Sequence, residues 1–155
     1  MGVEIERKFL LRDERWRAEV SHTVRMCQGY LASHPECSVR VRIEGEQARL
    51  NIKSATLGIE RREFEYPIPR ADAEIMLAEL CGGRTLSKTR HYVPCADHVF
   101  EIDEFDGANA GLVVAEVELA SATEAFPCPA WLGEEVSNDR RYYNVCLLEH
   151  PYSRW

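Results

Sequence analysis

Glu4, Glu6 and Lys8 stand at alternate positions near the start of the chain, in Val3-Glu4-Ile5-Glu6-Arg7-Lys8-Phe9. In an extended strand alternate side chains share a face. Both carboxylates and the ammonium then point one way, with Val3, Ile5 and Phe9 opposite. Two carboxylates one strand step apart can share a hard cation, and a lysine beyond them can hold an anion. Taken alone, the segment reads more simply as an edge strand with a solvated polar face. Repetition changes that reading. Arg40-x-Arg42, Arg49-x-Asn51-x-Lys53, Arg61-x-Glu63-x-Glu65, Lys88-x-Arg90, Glu101-x-Asp103 and Glu116-x-Glu118 follow, each interleaved with other residues that are mostly apolar. Solubilising faces usually mix their charges; these come largely in blocks of one sign.

Strands have to carry such pairs. The alternation predicts eight, over residues 3–11, 23–32, 38–44, 47–54, 60–68, 84–94, 98–105 and 112–120. Short turns at 44–46 and 96–97 and Asp106-Gly107 separate or end them. Helices are expected over 13–20, over 72–80 before Gly82-Gly83, and over 138–149 before Pro151. Eight strands in short meanders imply an α+β fold, with an antiparallel sheet long enough to close into a barrel flanked by helices. The inner face of the second strand is open at this point, because Arg25 could point either way.

The chain has 155 residues and a formal net charge of −7. One domain over 1–155 is expected, with no linker or repeat. The acidic balance argues against nucleic acid as a partner. No apolar run approaches the roughly 20 residues of a membrane span, so no membrane partner is expected. The charged N-terminus has no apolar core, so a secretion signal is not expected. The six cysteines include no CxxC pair and read as reduced thiols, which points to the cytoplasm. The five histidines show no paired-ligand spacing. Thr56 reads either as a phosphate contact or as a turn hydroxyl.

If the sheet closes with its charged faces inward, the lumen is a charged tunnel. Burying so many ions is costly unless water, counter-ions or a ligand fill the space. A polyphosphate with divalent metal matches both sets, since carboxylates hold Mg²⁺ or Mn²⁺ and guanidinium forks hold phosphate oxygens. On these residues the chain resembles the CYTH, or triphosphate tunnel metalloenzyme, superfamily. The resemblance runs from Glu4-x-Glu6-x-Lys8 through Arg40-x-Arg42, Ile52-Lys53, Arg61-x-Glu63-Phe64-Glu65, Lys88-x-Arg90, Glu101-x-Asp103 and Glu116-x-Glu118. It ends at Trp131-Leu132-Gly133-Glu134-Glu135-Val136 and Asp139, Tyr142 and Asn144.

The resemblance implies a closed eight-stranded tunnel that binds a triphosphate and a divalent metal. Family members include inorganic triphosphatases, thiamine triphosphatases, class IV adenylyl cyclases and RNA triphosphatases. The expected activity is metal-dependent hydrolysis of inorganic tripolyphosphate to pyrophosphate and phosphate, with a small-molecule triphosphate as partner and the oligomeric state left open. The expected metal ligands are Glu4, Glu6, Glu116 and Glu118, assisted by Asp103, Glu63 and Glu65. Lys8, Arg40, Arg42, Lys53, Lys88 and Arg90 are expected to hold phosphate, and Lys88 also to stabilise or protonate the leaving group. A class IV cyclase, a thiamine triphosphatase and a non-catalytic polyphosphate-binding module are the alternatives.

Overall fold

The alternating pattern builds nine strands. They are β1 (Gly2–Leu11), β2 (His22–His34), β3 (Cys37–Glu44), β4 (Gln47–Ser54), β5 (Glu60–Ile68), β6 (Thr85–Cys95), β7 (His98–Phe105), β8 (Val113–Glu118) and β9 (Leu132–Glu135). The computed structural model describes residues 2–54 and 59–155, so Thr56 lies outside the described residues. Neighbours pair antiparallel in the order β5-β4-β3-β2-β6-β7-β8-β1. The ring closes where β1 returns to β5, from Gly2↔Glu63 to Ile5↔Glu60. The first eight strands thus make the expected closed barrel.

The ninth strand was not anticipated. It pairs Glu135 with Phe9 and Leu132 with Leu11. Phe9 also pairs with Ala115 of β8, so β9 takes the other edge of β1, beyond β5. Gly133 permits the approach: a methyl group there would lie 2.8 Å from the Leu10 carbonyl oxygen.

The inner face is taken by charge, so most of the apolar core lies outside the barrel. Ile5, Phe9, Val93, Phe100, Ile102 and Val117 pack under Trp16 and Trp131. Val41 and Ala48 pack under Ala73 and Cys81. A further cluster differs. Its Leu86, Phe105 and Val114 lie at even spacing from Lys88, Asp103 and Glu116 and so share their strand faces. With Leu147 they fill one part of the barrel interior with hydrocarbon.

The helices are shorter than expected. Segment 13–20 forms only a 3-10 turn at Arg15–Glu19, with Trp16 buried. Helix α1 (Arg70–Ile75) starts directly after Pro69 and continues as a π turn over Met76–Leu80. At the C-terminus, Asp139 accepts from the Arg141 N–H and caps its own 3-10 turn, Arg140–Tyr142. Tyr143 is then extended, and helix α2 spans only Asn144–Glu149. Among the described residues no helix is long and apolar enough to cross a membrane, and the six cysteines are free.

Candidate active site

The barrel encloses a cavity of about 150 Å³. Carboxylates of Glu4, Glu6, Glu63, Glu65, Glu101, Glu116 and Glu118 line it, with the cationic groups of Lys8, Arg40, Arg42, Lys53, Arg61 and Arg90. Strand order sorts these charges. The acids come from the contiguous arc β7-β8-β1-β5 and most of the bases from β4, β3 and β6 across the ring. Lys8 and Arg61 are the cations on the acidic arc.

On that arc the register puts like charges together. Glu6 faces Glu118, and Glu101 faces Glu116. Burial, with Glu116 and Glu4 beside it, pushes the Glu6 carboxyl up to about 8. Burial and Glu4 raise Glu118, and burial and a bond to Glu4 raise Glu63. Cationic side chains reach several of these carboxylates. Lys53 lies 2.9 Å from Glu4 and 3.2 Å from Glu63, and Lys8 lies 3.2 Å from Glu116. Against the cost of burial, Lys53 and Arg61 hold Glu4 down to about 2. Against the same cost, Lys8 and Arg90 hold Glu116 well below the usual range.

This donor set fits a hard divalent cation. It is all oxygen, and burial together with Glu116 and Glu4 disfavours the charged form of Glu6, so positive charge is wanted there. Among the described residues no three carboxylates already converge as a metal-binding group. Lys53 and Lys8 occupy Glu4, Glu63 and Glu116 instead.

The basic arc is equally crowded. Burial, with Arg40 and Arg90 nearby, pulls the Arg42 guanidinium down from its ordinary value. Arg90 is oriented by Asp103, which accepts from its Nε at 2.7 Å and from Nη2 at 2.9 Å. Lys88 donates to the same carboxylate at 2.6 Å. Lys88 and Asp103 are both fully buried and do not line the cavity; they sit behind its wall. Despite the desolvation of full burial, Arg90 and Lys88 hold Asp103 low. Burial pulls Lys88 down to about 8 against the pull of Asp103.

Every other expected site residue lines the cavity. Several further lining residues were given no role from sequence: Tyr30, Ser38, Asn51, Arg61, Glu101, and Tyr143, Asn144 and Val145 at the start of α2. Tyr30 belongs to the inner face of β2. Arg25 points outward to Asp106, which leaves Met26, Gln28 and Tyr30 inside. A strand whose inner face carries no charge leaves no charge pattern to read. Arg61 and Glu101 were visible as inward charges; only their role was missing.

Comparison with known proteins follows this geometry. A family model described as the CYTH domain matches residues 2–145. The chain is 37% identical over 155 residues to a protein of Acetivibrio thermocellus named inorganic triphosphatase, covering 100% of this chain and 99% of that one. It is 38% identical over 148 residues to a Nitrosomonas europaea protein of the same name, covering 93% and 95%. A crystal structure of an inorganic triphosphatase superposes with a TM-score of 0.68 at 36% identity, covering 96% of this chain and 95% of that one.

Proposed function

The chain belongs to the CYTH domain family, and on that footing we propose that it hydrolyses inorganic tripolyphosphate to pyrophosphate and phosphate. The observation that carries the reading is the division of one cavity into an arc of carboxylates and an arc of guanidinium and ammonium groups. The names of the two relatives agree with it.

In this reading Arg40, Arg42 and Arg90 offer planar forks to non-bridging phosphate oxygens, and Lys8 and Lys53 act as point charges. Glu4, Glu6, Glu116 and Glu118 would hold Mg²⁺ or Mn²⁺, with Glu63 and Glu65 assisting. A metal bound there would supply charge neutralisation at the terminal phosphoryl and lower the pKa of a water. Asp103 aims Arg90 from behind the wall. Lys88 can assist the leaving phosphate only if its ammonium swings off Asp103. The free cysteines suit a reducing compartment, and we place the enzyme in the cytoplasm.

The test is phosphate release from tripolyphosphate, ATP, thiamine triphosphate and pyrophosphate with Mg²⁺, Mn²⁺ or EDTA, plus a cyclic AMP readout. Tripolyphosphate should be fastest and EDTA should abolish turnover. Glu116→Gln should cost at least ~10²-fold in kcat/KM, as losing a metal-held transition-state contact would. Cyclic AMP formed faster than phosphate is released would make the protein a cyclase. Binding with no release would make it a polyphosphate-binding module.

A further inference from the structure

The two phosphate-facing arginines of β3 share an unusual gap. Nε of Arg40 and Nε of Arg42 are both buried and have no acceptor among the described residues. Each residue stands directly opposite an amide in cross-strand register, Arg40 opposite Asn51 of β4 and Arg42 opposite Gln28 of β2. The amides show the complementary gap. Oδ1 of Asn51 is buried without a donor, and both Oε1 and Nε2 of Gln28 lack partners. Gln28 is 0% exposed.

Directly opposed residues share a sheet face with their Cβ atoms roughly 5 Å apart. Each orphan N–H is therefore within side-chain reach of an orphan carbonyl oxygen. A buried polar atom left unpaired is costly, and here the cost is incurred on both flanks of one strand. A guanidinium that turns its Nη1–Nη2 edge to a phosphate still has its Nε–H free to anchor it from the side. In this structure the Arg42 fork is turned instead to Glu44, with Nη2 3.1 Å from Oε2.

We propose that Gln28 and Asn51 are positioning residues for the arginine forks. Their amide oxygens accept the Nε–H of Arg42 and Arg40 when tripolyphosphate draws the guanidinium groups into the cavity. Asn51 is already tethered, since its Nδ2 donates to Glu65 at 2.6 Å and leaves the oxygen for the Arg40 side. Gln28 has no tether among the described residues, so it gives the cleaner test. The assignment rests on the tripolyphosphate reading of the cavity.

The test is calorimetric titration of the metal-free protein with tripolyphosphate, beside thermal denaturation without ligand. Gln28→Met should bind ~10-fold more weakly, as expected for one lost charge-assisted hydrogen bond. Its melting temperature should hold or rise, because two orphan atoms are gone. Gln28→Glu keeps an acceptor and should bind more tightly than Gln28→Met. In an Arg42→Lys background, which has no Nε–H to anchor, Gln28→Met should cost nothing further. If wild-type protein takes up no tripolyphosphate, the functional reading falls and this assignment with it. If wild type binds and Gln28→Met binds equally well, only the assignment falls. Should Gln28→Met not fold, Gln28→Ala, which also lacks the acceptor, takes its place in the cycle with Arg42→Lys: additive losses overturn the assignment.

Discussion

Asp103 shows how one side chain can matter to the cavity without lining it. It is fully buried, and three hydrogen bonds from Lys88 and Arg90 compensate its charge. Removing one partner of a buried ion pair leaves the other charge stranded, at a cost of about 3–5 kcal/mol. Lys88→Met leaves Asp103 paired with Arg90 and so should lower unfolding free energy by less, about 1.5–3 kcal/mol for one lost charged hydrogen bond, in urea titration. A large fall in kcat with stability intact would move Lys88 from bracing the wall to contacting the leaving phosphate. The case also marks what alternation can tell. It placed Lys88, Arg90 and Asp103 on inward faces, which the barrel bears out. It carries no information on depth along the barrel axis. Lys88, two residues from Arg90 on the same face, falls where Phe105 and Val114 fill the interior and not where the cavity opens.

Elements were legible where burial imposed a period and illegible where a single contact decided the conformation. Seven of the eight barrel strands could be read from charge recurring on their inner faces; β2, whose inner face carries Met26, Gln28 and Tyr30, could be read only in its extent. Strand β9 has four residues, Leu-Gly-Glu-Glu, and buries only Leu132. No period can be read from that. Its existence depends on Gly133 lying against the β1 backbone. Gly133→Ala forces a methyl group into a carbonyl oxygen that cannot move freely, and overpacking of this kind costs about 1–3 kcal/mol. Thermal denaturation should show that loss, and amide signals of Phe9 and Leu11 should shift as β9 lifts from β1. The last helix was overestimated for a similarly local reason. Asp139 captures the Arg141 N–H, and one side-chain cap replaces the first helical turns.

At the scale of the molecule, the ring order matters more than any one residue. Sequence reading gave every barrel strand but β2 its charge and could not give the order β5-β4-β3-β2-β6-β7-β8-β1, which gathers acids into one arc. That order follows from which edges meet when the sheet closes. The basic arc should make the fold more stable when tripolyphosphate is present, by roughly 2.7 kcal/mol at ~100 times its dissociation constant. Added salt should shrink the gain, because phosphate contacts are partly electrostatic. The gain should also be uneven across the fold. β1 supplies Glu4, Glu6 and Lys8 to the cavity, and it is also the strand whose first residues shut the ring against β5. Occupying the cavity and zipping the barrel are thus two readouts of one equilibrium. Amide hydrogens of Val3 to Ile5 and of their partners in β5 should exchange with solvent more slowly once ligand is bound, by a larger factor than those of β6 and β7. Ligand then works as a latch on the seam.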